Sequence, residues 1–412
     1  MKSSLALLFC LTTSVIAAKP KLSDSWEIDD SCDAPRLEKL DEAHSEIVEL
    51  LTKVTRDIAY VQQPRPVTRW GKSNWDRISR NLAGLFGLQS GDAIIENGYD
   101  PGEQYFSQVL YTYDRMYQAL VKGKPVPQNG WSGKLRDQEQ HSKPLLLCGD
   151  TRTWERFEKD DPDKYDASKT VGQVFPEAAN HGGAFIRANR YLGASPGETH
   201  PEICRGLYGM TLHRQDLITI CDMTLEFDDE KWPVRDGGQV VDGTDLDRDH
   251  FGRQSLVRVM LHEFAHYYGS RMDGNEFRSR RLPTGTTQHV LHVLMVSATV
   301  PDQQAVDKNG CLLWTGGSGN PVHEPATAGG QNLPRQIVYS LRYCTNLNKD
   351  QTNNKHAGKF ERNGVYVDGT LGSSGPSAAT WTAETYAYFA IISYLDKWEW
   401  LKTGKARPLS TV

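Results

Sequence analysis

Apolar positions recur at helical spacing across residues 35–62, where Leu37, Leu40, Ile47, Leu51, Val54, Ile58 and Val61 line one side of a helix with Asp33 as its expected N-cap. The same period predicts helices over residues 75–88 and 103–122, the second with Phe106, Val109, Leu110, Tyr113, Tyr117 and Leu120 on its apolar side. Two short strand-like runs, 144–148, closed by Gly149-Asp150, and 217–221, predict strands. Over residues 256–268, Leu256, Val257, Met260, Leu261, Phe264, Tyr267 and Tyr268 fill a broad apolar arc, while Ser255, His262 and His266 share another stripe. Gly269-Ser270 is the stop, with Gly269 suited to a left-handed position there. A last amphipathic helix is expected over 379–398, with Thr385, Ser393, Asp396 and Lys397 facing away from its apolar arc. Residues 301–336 and 345–378, rich in Gly, Pro, Asn and Ser, read as long surface loops, and no internal repeat is present.

Helices fill the first third and strands enter only later, so the fold class is α+β, with a small mixed sheet beside the 256–268 helix and a predominantly helical N-terminal part. Residues 1–18 read as a secretory signal peptide: Lys2, an apolar run from Leu5 to Ile16, then Ala17-Ala18. No other run is long enough to span a bilayer, so the expected product is secreted and extracellular with no membrane partner, and it is expected to be a monomer. Of seven cysteines Cys10 lies in the signal, and an even six in an exported chain favours three disulfides. Proximity pairs Cys204 with Cys221 and Cys311 with Cys344, leaving Cys32 with Cys148. Losing Lys2 shifts the net charge from −5 to −6, and with no basic cluster in the sequence nucleic acid is not an expected partner. The acidic stretch Asp242 to Asp249 lacks the ligand spacing of an EF-hand and reads as a solvated loop.

The candidate chemistry lies in His262-Glu263-Phe264-Ala265-His266. Two imidazoles four residues apart on a helix stand one turn above each other and can reach one Zn²⁺. Glu263, rotated by about 100° from His262, is not a ligand but is placed to act as general base toward a metal-bound water. A catalytic zinc site takes three protein ligands, so a third is required. Glu384 is the strongest candidate: its projection sets it among Tyr388, Ile391 and Leu395, and a carboxylate on a buried face needs a cation or donors. Asp273 and Glu276, just past the Gly269 turn, are alternatives. His289 and His292, three apart, belong to a run that reads as core.

These motifs resemble the zincin metallopeptidases, and more narrowly the secreted fungal deuterolysin-like proteins, the aspzincins, which include lysine-specific metalloendopeptidases. The likeness rests on His262, Glu263 and His266 and on Ala383-Glu384-Thr385-Tyr386-Ala387. The family's G-T-x-D element after the second histidine is missing here, which marks a divergent branch. The resemblance implies a zincin-like catalytic domain over 136–412, preceded by a helical region over 19–135 that is either an integral layer or a prosegment. It also implies a zinc-dependent endopeptidase acting on a protein or peptide substrate. The alternative is a secreted zinc-binding protein or surface antigen that keeps the helix without cleaving.

Overall fold

Helix α1, Ala34–Val61, begins where expected: Asp33 Oδ1 accepts from the Arg36 amide at 3.1 Å. The computed structural model describes residues 20–93, 100–124, 126, 143–150, 154–164, 166–176, 182–186, 190–194, 201–227, 230–250, 255–281, 287–316, 320–322, 327–328, 331–349, 355–356, 359–362, 365–368 and 375–409. For 272–281 and 287–294 it gives the backbone course without the side chains. The signal peptide of the sequence reading lies outside these residues.

Helix α2, Arg69–Phe86, starts six residues before its expected position. Its first turns, Arg69-Trp70-Gly71-Lys72-Ser73, carry no apolar period, but Thr68 caps them by accepting from the Gly71 amide at 3.2 Å. It ends at Gly87, whose φ of 72° suits glycine. Helix α3, Pro101–Met116, widens into a single π turn over Tyr117–Val121. Helix α4, Leu256–Tyr268, holds the two histidines, and helix α5, Ala383–Tyr394, holds Glu384. The helix expected over 379–398 is thus broken in two. Pro376–Ala379 forms one turn, Thr382 is extended, and α5 starts afresh, which puts Glu384 in its first turn. Helix α5 is also not amphipathic. Thr385 and Ser393 are buried, because α5 packs against α1, α2 and α4 at once.

A four-stranded sheet lies beside α4. Its strands are β1, Glu27–Ile28; β2, Leu145–Cys148; β3, Gly209–Leu212; and β4, Leu217–Ile220, in the order β1-β2-β4-β3. The first three in that order run parallel, and β3 is the antiparallel edge strand. All four residues of β2 and of β4 are buried, as unbroken apolar runs require. Residues 289–296, read as core with a helical spacing for His289 and His292, instead belong to a hairpin of β5, Ser270–Arg281, and β6, Thr287–Ser297. Asp273, Glu276, His289 and His292 lie on this hairpin, where their side chains are outside the described residues.

The helical amino-terminal part shares its core with the histidine-bearing helix. One apolar cluster runs from Leu22 to Ala406, α1 packs on α4 and α5, and β1 joins the sheet. Disulfides join Cys32 to Cys148 and Cys204 to Cys221. The third expected bridge is not formed: Cys311 and Cys344 are buried thiols, and burial pushes the Cys344 pKa up. Among the described residues no helix is long and apolar enough to cross a membrane.

Candidate metal centre

Helix α4 is anchored at its start by two groups. Ser255 Oγ accepts from the Arg258 amide at 3.2 Å, and Glu230 Oε1 accepts from the Leu256 amide at 2.7 Å. At its far end Gly269 is extended, with φ −56° and ψ 163°, and not left-handed. Its glycine is needed for room: a Cβ would meet Val300 Cγ2 at 2.4 Å and the Ala298 carbonyl oxygen at 2.6 Å. That close approach follows from the hairpin. The β5–β6 pair leaves the helix at Ser270 and returns at Ser297, and the Ala298 amide donates to Gly269 O at 2.9 Å. Residues 300–302 are thereby laid against the last turn of α4.

The returning segment brings Asp302 to the histidines. His262 Nε2 and His266 Nε2 stand 2.9 Å apart, and Asp302 Oδ1 lies 3.3 Å from the first and 3.6 Å from the second. These three residues can each offer one donor atom within 4.8 Å of the others, as a group able to hold a metal ion. Both rings are fixed from behind. His262 Nδ1 faces Glu384 Oε2 at 2.8 Å, and His266 Nδ1 faces the Val300 carbonyl oxygen. A carboxylate and a carbonyl only accept, so each Nδ1 carries the proton and each Nε2 can turn a lone pair inward. Among the described residues Asp302 Oδ1 is buried without a hydrogen-bond partner, while its Oδ2 accepts from the Tyr339 hydroxyl at 2.8 Å.

When both rings are neutral, the two inward lone pairs and the Asp302 carboxylate oxygen form an acceptor-only set, and such a set is satisfied by a cation, whether a metal ion or a proton. The local field has the same sign. Burial opposes a charge on His262, but Asp302, Glu384 and Glu263 outweigh it and lift its pKa to about 9. Burial likewise opposes ionisation of Asp302, yet His262, His266 and the Tyr339 hydroxyl hold its carboxyl below the usual range. Two imidazoles and one carboxylate are a donor set that zinc accepts, with further positions left for other ligands.

Glu384, expected to share an ion with both rings, is therefore not beside the facing nitrogens, and the structure brings it to His262 alone. It lies behind the His262 ring, and its other oxygen, Oε1, pairs with Arg258 Nη1 at 2.6 Å. Glu384 is fully buried and needs partners, as its sequence setting implies, and these are a guanidinium and an imidazole N–H. Asp302 and Tyr339 were missed. From sequence, Asp302 falls in the loop expected over 301–336, Tyr339 falls in no expected element, and neither carries a role.

Glu263 is oriented by the edge strand. Thr211 Oγ1 donates to Glu263 Oε2 at 2.7 Å, and Gly209 approaches so closely that a Cβ there would sit 2.8 Å from Oε1. A cavity of about 180 Å³ opens here, lined by Tyr208, Gly209, Val259, His262, Glu263 and Tyr339 among others. Its rim is pinned by the Cys204–Cys221 bond, and Tyr208 O accepts from the Cys221 amide and the Thr224 hydroxyl at 3.0 and 2.7 Å. The acidic stretch is more than a solvated loop, because Asp247 Oδ1 accepts from the Tyr388 hydroxyl and from the Leu341 amide. No family model, curated protein or solved structure matches the chain.

Proposed function

We propose that the protein is a secreted, zinc-dependent endopeptidase of the zincin type, with His262, His266 and Asp302 as the metal-holding residues and Glu263 as general base. The reading is carried by the convergence of two Nε2 atoms and Asp302 Oδ1 at one point, with both Nδ1 atoms occupied behind them. When bound, zinc would polarise the scissile carbonyl and acidify water at the site. Glu263, held by Thr211 at the floor of the cavity, takes a proton from the attacking water and passes it to the leaving amine. Glu384 and Val300 keep the two rings in the tautomer that leaves Nε2 unprotonated. Tyr339, through Oδ2, turns Asp302 so that Oδ1 faces the rings.

Substrate binding follows from the sheet. Strand β3 is an edge, and Gly209 and Thr211 on it touch Glu263, so an extended peptide added along β3 would lie across the base. The test combines elemental analysis with a casein or peptide-library digest. One zinc per chain and chelator-sensitive cleavage are expected. Stoichiometric zinc without cleavage would leave a zinc-binding protein, and no stoichiometric metal would end the reading.

A further inference from the structure

A second concavity, of about 480 Å³, shares no lining residue with the metal-site cavity. It is built on the first turns of α2 and lined by Arg65, Arg69, Trp70, Lys72, Arg77 and Arg80, with Asp76, Asp396 and Lys397 completing its charged groups. Six cations therefore face two carboxylates, in a chain whose net charge is −5, and this corrects the expectation from sequence that there is no basic cluster. Both carboxylates are already engaged. Asp76 takes Arg65 at 2.6 and 2.5 Å, and Asp396 lies 3.3 Å from Lys53 and 3.7 Å from Arg77. Arg69, Lys72, Arg80 and Lys397 have no ion-pair partner among the described residues and are exposed.

Three further observations point to an anionic occupant. Arg77 is only 5% exposed and is held by Asp57 and Asn74 through Nη2, yet its Nη1 has no acceptor among the described residues. The concavity lies at the start of an 18-residue helix, whose positive end favours negative charge. Trp70, 78% exposed, presents an aromatic face at the same site. A ring that large left in water between cations suits a ligand with a flat apolar face as well as negative groups.

We infer that this groove on α2 binds a sugar bearing sulfate or phosphate esters. The ester oxygens would pair with Arg69, Lys72 and Arg80, and the pyranose C–H face would stack on Trp70. A concave site, unlike a flat basic face, favours a discrete sugar unit over a membrane, and disulfides together with the expected export favour extracellular polyanions over nucleic acid.

Isothermal titration of the full secreted chain tests this, using a heparin-derived octasaccharide, its desulfated counterpart and a phosphomannan oligosaccharide. A single-stranded oligonucleotide and phosphatidylserine vesicles serve as controls. Binding of the sulfated or the phosphorylated sugar is expected, whichever ester is preferred, with the desulfated sugar weaker by about tenfold or more and a steep loss at high salt. Arg69→Gln/Lys72→Gln/Arg80→Gln should lose about tenfold or more, Trp70→Ala should weaken sugar binding, and Arg69→Lys/Arg80→Lys should retain most of it. Equal affinity for the desulfated sugar, indifference to the triple variant, or tighter binding of the oligonucleotide or vesicles would overturn the inference.

Discussion

Glu384 Oε2 and His262 Nδ1 meet at 2.8 Å on the side of the imidazole that faces away from His266. The carboxylate therefore governs how the ring is held and which nitrogen is free, while Asp302 meets both rings on their facing side. A ranking of variants follows. Asp302→Ala should abolish stoichiometric metal binding, whereas Glu384→Gln and Tyr339→Phe should each retain it with affinity reduced by about 10–100-fold. Competition titration against a chromophoric chelator reads this. Complete metal loss in Glu384→Gln with retention in Asp302→Ala would reverse the assignment.

Arg258 and Glu384 form an ion pair in which neither side chain is more than 5% exposed. Removing one partner leaves the other charged and buried. Arg258→Met alone is expected to cost about 3–5 kcal/mol, and Arg258→Met/Glu384→Gln should recover much of that in chelator-treated protein. Urea denaturation of the two variants makes the comparison. Additive losses would show that the pair does not act as a unit.

Glu263→Gln should keep the metal and lower hydrolysis by about 10²–10⁴-fold. Gly209→Ala offers a separate test of the same group, because the added methyl would press on Glu263 Oε1 and Cγ from 2.8 and 2.9 Å. A drop in kcat with metal content intact is expected for both. Full activity in Glu263→Gln would remove it as the base.

His44 gives stability a pH dependence unrelated to the metal. It is buried, with Nε2 3.1 Å from Leu120 O, and burial pushes its pKa down from 6.5 to about 4. A depressed histidine contributes stability that is present above pH 6.5 and lost as pH falls through about 4, on the order of 3 kcal/mol. Glu46 and Glu230 run the other way. Burial raises each to about 7, so their contribution is present below about 4.5 and is lost as pH rises through 7. His44→Leu should therefore gain on the wild type as pH falls from 6.5 to 4. Parallel stability curves over that interval would exclude His44 as the source.

Much of the scaffold could be read from residue patterns, because burial and period coincide in α1, α4, β2 and β4. The failures have physical causes. Helix α2 starts in a polar stretch that only its Thr68 cap defines, and Thr382 interrupts what looks like one helix. Asp302, the third member of the group that could hold a metal ion, was beyond reach for a different reason. Asp302 meets His266 only because a long hairpin leaves α4 at Ser270 and returns beside it, and reading 287–297 as a strand would have been the necessary clue. The burial of Glu384 was legible, but which atoms satisfy it depends on Arg258, 126 positions earlier.

The bond between Cys32 and Cys148, together with the lodging of Glu27–Ile28 beside Leu145–Leu146, carries a consequence for maturation. A nick anywhere in the 116-residue span would give a two-chain form that separates only on reduction. A single cut after Cys32 therefore cannot free the amino-terminal strand Glu27–Ile28 from the rest of the oxidised protein.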